Sequence, residues 1–168
     1  MRHLVRWAAI LCLVAFPPLA GAGSVGGAAP VFTAPLLKGG DFNLSEHLGK
    51  KVILLDWWSI NCVPCVQAIP ALIDLHNRYP DDLLVVGMNV DAFILKRVER
   101  FLATQSFKVT YPTVVDKQLS VMKQYEGSIL PTTVLIDKQG RIAFTHVGYK
   151  PGDEVTLEEK LREIIATN

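Results

Sequence analysis

The chain has 168 residues, half of them apolar and 20% charged, which is enough to bury one core of ordinary domain size and too apolar for a disordered chain. Seventeen Lys and Arg against sixteen Asp and Glu leave a net charge of +1, which argues against nucleic-acid binding through a basic face. Twelve Gly and ten Pro are scattered, so a collagen-like or low-complexity chain is excluded.

The N-terminus reads as an export signal. Met1 to Arg6 holds two arginines and no acid, Trp7 to Phe16 is uninterruptedly apolar, and small residues follow Pro17-Pro18. Basic start, short apolar run and small-residue exit predict a secretory signal over 1–22, cut after Ala22. The run is shorter than the ~20 residues of a spanning helix. An uncleaved anchor is the alternative, and the only membrane association expected. Cys12 sits inside the run as a small hydrophobe, and Ile10-Leu11 before it does not suit lipidation. Removing 1–22 leaves fifteen basic and sixteen acidic residues, a net charge of −1. Residues 23–29 are rich in small residues and read as a flexible tether. Residues 30–168 read as one domain working where paired cysteines become disulfides.

Within that domain, Gly39-Gly40 between short apolar pieces predicts a hairpin over 31–43. Ser45 to Leu48 reads as one helical turn capped by Ser45 and closed by Gly49. Val52 to Trp58 is a near-continuous apolar run, a strand buried on both faces. A helix is predicted from Val63 to Tyr79, with Val66, Ile69, Leu72, Ile73 and His76 at helical spacing and Pro70 expected to kink it. Leu83 to Val90 is a second buried strand. Ile94 to Gln105 is an amphipathic helix, and Leu119 to Tyr125 a short one. Thr132 to Ile136 and Ile142 to Val147 form a hairpin around Asp137-Lys138-Gln139-Gly140, and Val155 to Ala166 is a closing helix. The order predicts an α/β fold: a mixed sheet with helices on both faces.

The chemistry concentrates at Cys62-Val63-Pro64-Cys65, after a buried strand and at the start of a helix, where the spacing reads as redox-active. Cys62 at the helix N-terminus would be favoured as thiolate, the attacking sulfur, with a pKa lowered to about 7. Cys65, one turn further and more buried, would resolve the mixed disulfide. Pro64 suits the first turn because its missing N–H has no helical partner there. A purely structural disulfide and a zinc site are the alternatives. The latter lacks a second Cys or His pair, so no metal is expected. Asp56 lies inside an apolar strand, where desolvation raises a carboxyl pKa. It is a candidate to take the Cys65 proton. A strand-end Asp bonded to backbone is the plainer reading.

These residues resemble the thioredoxin superfamily and, within it, the exported TlpA/ResA-type thiol-disulfide oxidoreductases. Asp56, the Cys62/Cys65 pair, Pro70, Leu130-Pro131-Thr132-Thr133 and Gly148 match that family's pattern in order, over about Pro30 to Ile165. The resemblance implies a thioredoxin-like fold with an N-terminal hairpin extension and a helix-and-strand insert between Asp91 and Tyr125. It implies a cis Leu130–Pro131 bond beside a Cys62–Cys65 disulfide, with the Leu130 backbone free to pair with an extended client. Trp58, Asn61, Val63, Pro64, Leu130 and Gly148 are then the substrate-contacting set. No cofactor beyond the disulfide is implied. Two departures stand out. Asn61 replaces the usual Trp before the first Cys, and Ala68 replaces an acid three residues after the second.

Val63 and Pro64 place no charge between the cysteines, so the thiolate is only moderately stabilised and the pair is expected to reduce rather than oxidise. The resemblance supplies the partners: disulfide-containing clients, an apocytochrome c among them, and a membrane thiol electron donor. It places the chain in a bacterial periplasm or on the outer face of the cytoplasmic membrane, as a monomer. An oxidase or isomerase using the same cysteines, and a non-enzymatic binding module, are the alternatives. A peroxidase lacks its Pro-x-x-x-Thr-x-x-Cys setting here. His47, His76 and His146 share no ligand spacing and read as structural. Asp153, Glu154, Glu158, Glu159 and Glu163 read as a solvated helix face, and Phe93, Phe101 and Phe107 as core.

Overall fold

The computed structural model describes residues 21–167. The expected signal or anchor, with Cys12, lies almost wholly outside them. A two-stranded hairpin, β1 (Thr33–Pro35) and β2 (Asp41–Asn43), precedes a five-stranded sheet. That sheet comprises β3 (Val52–Trp58), β4 (Leu83–Asn89), β5 (Thr113–Val115), β6 (Thr132–Ile136) and β7 (Ile142–Val147). Its order is β5-β4-β3-β6-β7. β3 runs parallel to β4 and antiparallel to β6, so the sheet is mixed, as predicted. The helices are α1 (Val63–Arg78), α2 (Leu95–Thr104), α3 (Ser120–Gln124) and α4 (Asp153–Thr167).

β3 is central because every residue in it is buried, which only a strand covered on both faces can satisfy. Leu54 alternates onto the face packed by Leu72 and Leu75 of α1 and Leu161 of α4. Ile53, Leu55 and Trp57 alternate onto the other face, under the hairpin residues Phe32 and Phe42 and under Met122 of α3. α1 buries Cys65, Ala68, Ile69, Leu72 and Leu75 at helical spacing and runs on through Pro70, which is exposed. α4 begins at Asp153, two residues earlier than expected, because Asp153 and Glu154 suit the positive end of a helix.

Two expectations are corrected. The turn after β2 is a 3₁₀ turn (Leu44–Glu46) capped by Asn43, whose Oδ1 accepts the Ser45 N–H at 3.1 Å; Ser45 is not the cap. Asn43 wins because it ends a strand in extended conformation with an acceptor free to reach forward. Residues 23–29 are not a loose tether. Gly26 N–H donates to Ile142 O at 2.8 Å, Ile142 N–H to Gly27 O at 2.9 Å and Ala29 N–H to Gly140 O at 2.9 Å. The glycines serve close approach: a Cβ on Gly23 would meet Gln124 O at 2.1 Å, and one on Gly27 would meet Gly21 O at 1.9 Å. Among the described residues no helix is long and apolar enough to cross a membrane.

Candidate active site

β3 ends at Trp58, and Ser59-Ile60-Asn61 turn the chain into α1, with Cys62 as the N-cap residue. Cys62 and Cys65 form a disulfide with Cα atoms 5.3 Å apart. The Cys62 Sγ accepts the Cys65 N–H at 3.3 Å, so the helix N-terminus points a backbone donor at this sulfur. Cys65 is fully buried, Cys62 half-buried, and Val63 between them 67% exposed. Pro64 sits in the first helical turn, and Asn61 is exposed just before the pair.

The turn is held by a residue that the sequence reading did not single out. Asp91 accepts the Ser59 Oγ–H at 2.7 Å, the Ile60 N–H at 2.8 Å and an Asn89 Nδ2 proton at 3.0 Å. Ser59 Oγ in turn accepts the Asn61 N–H at 3.2 Å. Asn89 ends β4 and Asp91 follows it, beside the end of β3, so the carboxyl ends of two parallel strands brace the loop that presents Cys62. The only sequence signal for this was polar residues closing an apolar strand.

Asp56 is 1% exposed, and the Thr133 Oγ–H donates to its Oδ1 at 2.9 Å. Burial pushes its carboxyl up to about 7, against the lowering effect of the Thr133 bond. The plainer reading of Asp56, a strand-end residue bonded to backbone, does not hold: its partner is a side chain and it sits mid-strand. Burial, and after it the Asp56 charge, push the Tyr111 phenol well above its ordinary value. Trp58, two residues on and on the same face as Asp56, packs in one cluster with Cys65 and borders the disulfide. Trp57 faces the opposite way, donating from Nε1 to the buried Asp116 at 2.9 Å.

The Leu130–Pro131 peptide is cis, as the resemblance implied. Leu130 packs against the Trp58 and Cys65 cluster, and Pro131 is buried. Among the described residues neither the N–H nor the C=O of Leu130 has a hydrogen-bond partner, whereas Pro131 O accepts the Gly148 N–H at 2.8 Å. Pro131 and Gly148 line a cavity of about 20 Å³ with Ala68, Thr133, His146 and Asp153. One cluster thus gathers Trp58, Cys62, Cys65 and Leu130, with Asp56 on the same face of β3 as Trp58 and with Pro131 and Gly148 lining the adjoining cavity.

The remaining titratable groups divide. His47 stacks on Phe42 at 4.8 Å, and burial, helped by Lys51, lowers the His76 pKa. His146 Nε2 lies 3.2 Å from Asp153 Oδ2. No group of three or more His, Cys, Asp or Glu among the described residues is arranged to hold a metal ion. The acids of α4 are not all solvated. Glu158 accepts from Arg78, Tyr79 and Arg162, because α4 packs beside α1 and brings Arg78 and Tyr79 against it. Phe101 and Phe107 are half-buried, but Phe93 is 89% exposed, because it sits in the loop after β4 rather than on the apolar face of α2.

The Redoxin family matches residues 24–161. The chain is 33% identical over 133 residues to the thioredoxin-like protein YneN of Bacillus subtilis, covering 79% of this chain and 76% of that one. It is 37% identical over 120 residues to the thiol-disulfide oxidoreductase ResA of Geobacillus kaustophilus, covering 71% and 67%. Among solved structures it resembles a Chlorobium tepidum protein assigned as thiol:disulfide interchange protein DsbE. The TM-score is 0.75 and the identity 29%, over 82% of this chain and 95% of that one.

Proposed function

The chain belongs to the Redoxin family, as a thiol-disulfide oxidoreductase of the ResA type with a thioredoxin-like fold, and from that premise we propose that it is an exported reductase of protein disulfides. The observation that carries the direction is the electrostatics of the pair. Val63 and Pro64 add no charge between the cysteines, and the ionisable group bonded to the turn is an acid, Asp91, with a second acid, Asp56, buried in the strand that leads into it. A thiolate that is not strongly stabilised makes the dithiol the better electron donor.

In the reaction, the Cys62 thiolate attacks a client disulfide. A mixed disulfide forms and one client sulfur leaves as thiolate. Cys65 then passes its proton to Asp56 and attacks the Cys62 sulfur, releasing the second client thiolate. Two electrons have moved to the client, and Cys62–Cys65 is oxidised. A membrane thiol carrier returns the two electrons. The unpaired Leu130 N–H and C=O support backbone pairing with an extended client, and Pro131 positions it. Exposed Val63, Ile129 and Phe93, the last two residues past the brace at Asp91, supply apolar contact that tolerates many sequences. Trp58, Asn61, Pro64 and Gly148 complete the contact surface. An apocytochrome c with oxidised haem-binding cysteines fits this chemistry, and the apolar leader of residues 1–22 fits delivery outside the cytoplasm.

The test pairs a potential with a trap. The reading requires a Cys62/Cys65 potential near or below about −230 mV, and a value near about −120 mV overturns it in favour of an oxidase. Insulin reduction should vanish in Cys62→Ser. Cys65→Ala should accumulate mixed disulfides with clients, and capture by Cys62→Ala instead would reverse the two sulfur roles.

A further inference from the structure

Asp56, Thr133 and His146 stand directly opposite one another on the adjacent antiparallel strands β3, β6 and β7. Directly opposed residues project from one face with Cβ atoms about 4.5–5.5 Å apart. Three polar side chains therefore form one row from the middle of the sheet to its last strand. The neighbouring row on the same face, Leu54, Leu135 and Phe144, is wholly apolar. The Thr133 hydroxyl donates to Asp56 at 2.9 Å. Thr133 and His146 line the same cavity of about 20 Å³, which has room for one water. At the outer end His146, its side chain 32% exposed, is held through Nε2 by Asp153 at 3.2 Å. An Nε2–H donated to Asp153 leaves Nδ1 as the accepting nitrogen.

We propose that this row carries the proton of the resolving step from Asp56 through the Thr133 hydroxyl and a cavity water to His146, and so to solvent. The inference rests on the proton-accepting role given to Asp56 above. α1 lines the cavity with Ala68, Ala71 and Leu72 and offers the proton no polar group, so β6 and β7 provide the way out. The transfer balances without redox change. Once Asp56 is protonated, the Thr133 hydroxyl turns to donate to the water and accepts from the carboxyl. Asp56 then gives its proton to the Thr133 oxygen, Thr133 gives its own to the water, and the water gives one to the imidazole. Asp56 is left as carboxylate and His146 as imidazolium, which solvent deprotonates. The titratable and charged groups along the path are Cys65 as source, Tyr111 near Asp56, and Tyr149, Lys150, Asp153 and Glu154 around His146; β4 faces Asp56 with Gly87.

The test is the rate at which the dithiol protein reduces insulin from pH 5 to 9 in dilute buffer, for wild type, D56N, H146Q, T133V and T133S. General acid–base groups contribute about 10²–10⁴ in rate, and the row is expected to account for about tenfold of it at pH 7. H146Q and T133V are expected to be slowed by that factor with a shifted pH profile, T133S to stay near wild type, and added imidazole to restore H146Q. D56N is expected to be slow and not restored. A wild-type rate and profile in H146Q with a slow D56N overturns the row and leaves the Asp56 role standing. A slow H146Q that imidazole does not restore overturns proton transfer in favour of a structural role. A wild-type rate in D56N overturns both.

Discussion

Asp56 is flanked in β3 by Leu55 and Trp57, fully buried, and among the described residues its carboxyl has one hydrogen-bond partner, Thr133, to offset the loss of water. In the unfolded chain its carboxyl ionises near 3.8; in the fold it ionises near 7. Between those values the folded state holds a proton that the unfolded state has released, so stability falls as pH rises through the window and stays low above it. The gap between the two corresponds to about 4 kcal/mol. Asp56→Asn should flatten the profile. In urea titrations of the disulfide form, wild type should lose stability between pH 4 and 8, while the variant should not and should be the more stable protein at pH 8. Equal slopes in the two would show that Asp56 ionises normally in the fold. This residue was legible in the sequence, as was the Cys62/Cys65 pair, because an acid inside an apolar strand and two cysteines one helical turn apart are both local signals. Their supports were not. Thr133 and Asp91 act on partners 77 and 31 positions away, and nothing near them in the chain marks the meeting.

The longer strands were legible to the residue: β3, β6 and β7 begin and end where the sequence places them, β3 and β6 buried throughout and β7 only half-buried. Elements defined by pairing were harder to read. β5 is three residues long and earns its place by hydrogen bonding to β4. The 23–29 segment has a composition that suits a tether, yet it lies along the hairpin of β6 and β7, with Ala28 paired to Arg141 and Ala29 buried in the core. Residues 36–37 do the same at the opposite edge, where Leu36 pairs with Val114. Unpaired edges template aggregation, and here the N-terminal region covers part of both. A chain beginning at residue 30 should therefore fold with a frayed β7. The Ile142 amide, bonded to Gly27 O, is expected to be protected from hydrogen exchange in the longer chain and to exchange far faster in the shorter one. Equal protection in both would return the segment to the status of a tether.

Across the whole domain, the redox pair sits at the carboxyl ends of β3 and β4, while the first and last helices are clasped near the other end of α1. Arg78 near the end of α1 donates from Nη1 and Nη2 to the two Glu158 oxygens at 2.6 and 2.8 Å. The Tyr79 hydroxyl at 2.7 Å and Arg162 Nη2 at 2.7 Å join them. A bidentate guanidinium pair within a network holds better than an isolated surface ion pair. These donors, Arg78 foremost, hold the Glu158 carboxyl at about 2, below its ordinary 4.5. The sign follows from proton uptake. Below 4.5 the unfolded chain binds a proton at this position that the folded one does not take up until about 2. The stabilisation is therefore complete above 4.5 and is lost as the pH falls from there to 2. Glu158→Gln should lower the unfolding free energy by about 1 kcal/mol at pH 7 and progressively less below pH 4.5. Arg78 and Glu158 are 80 positions apart, and neither is among the site residues described above, so the redox potential should not move. A variant whose deficit persists undiminished at pH 2 would show that the clasp acts through packing of α4 on α1 rather than through charge.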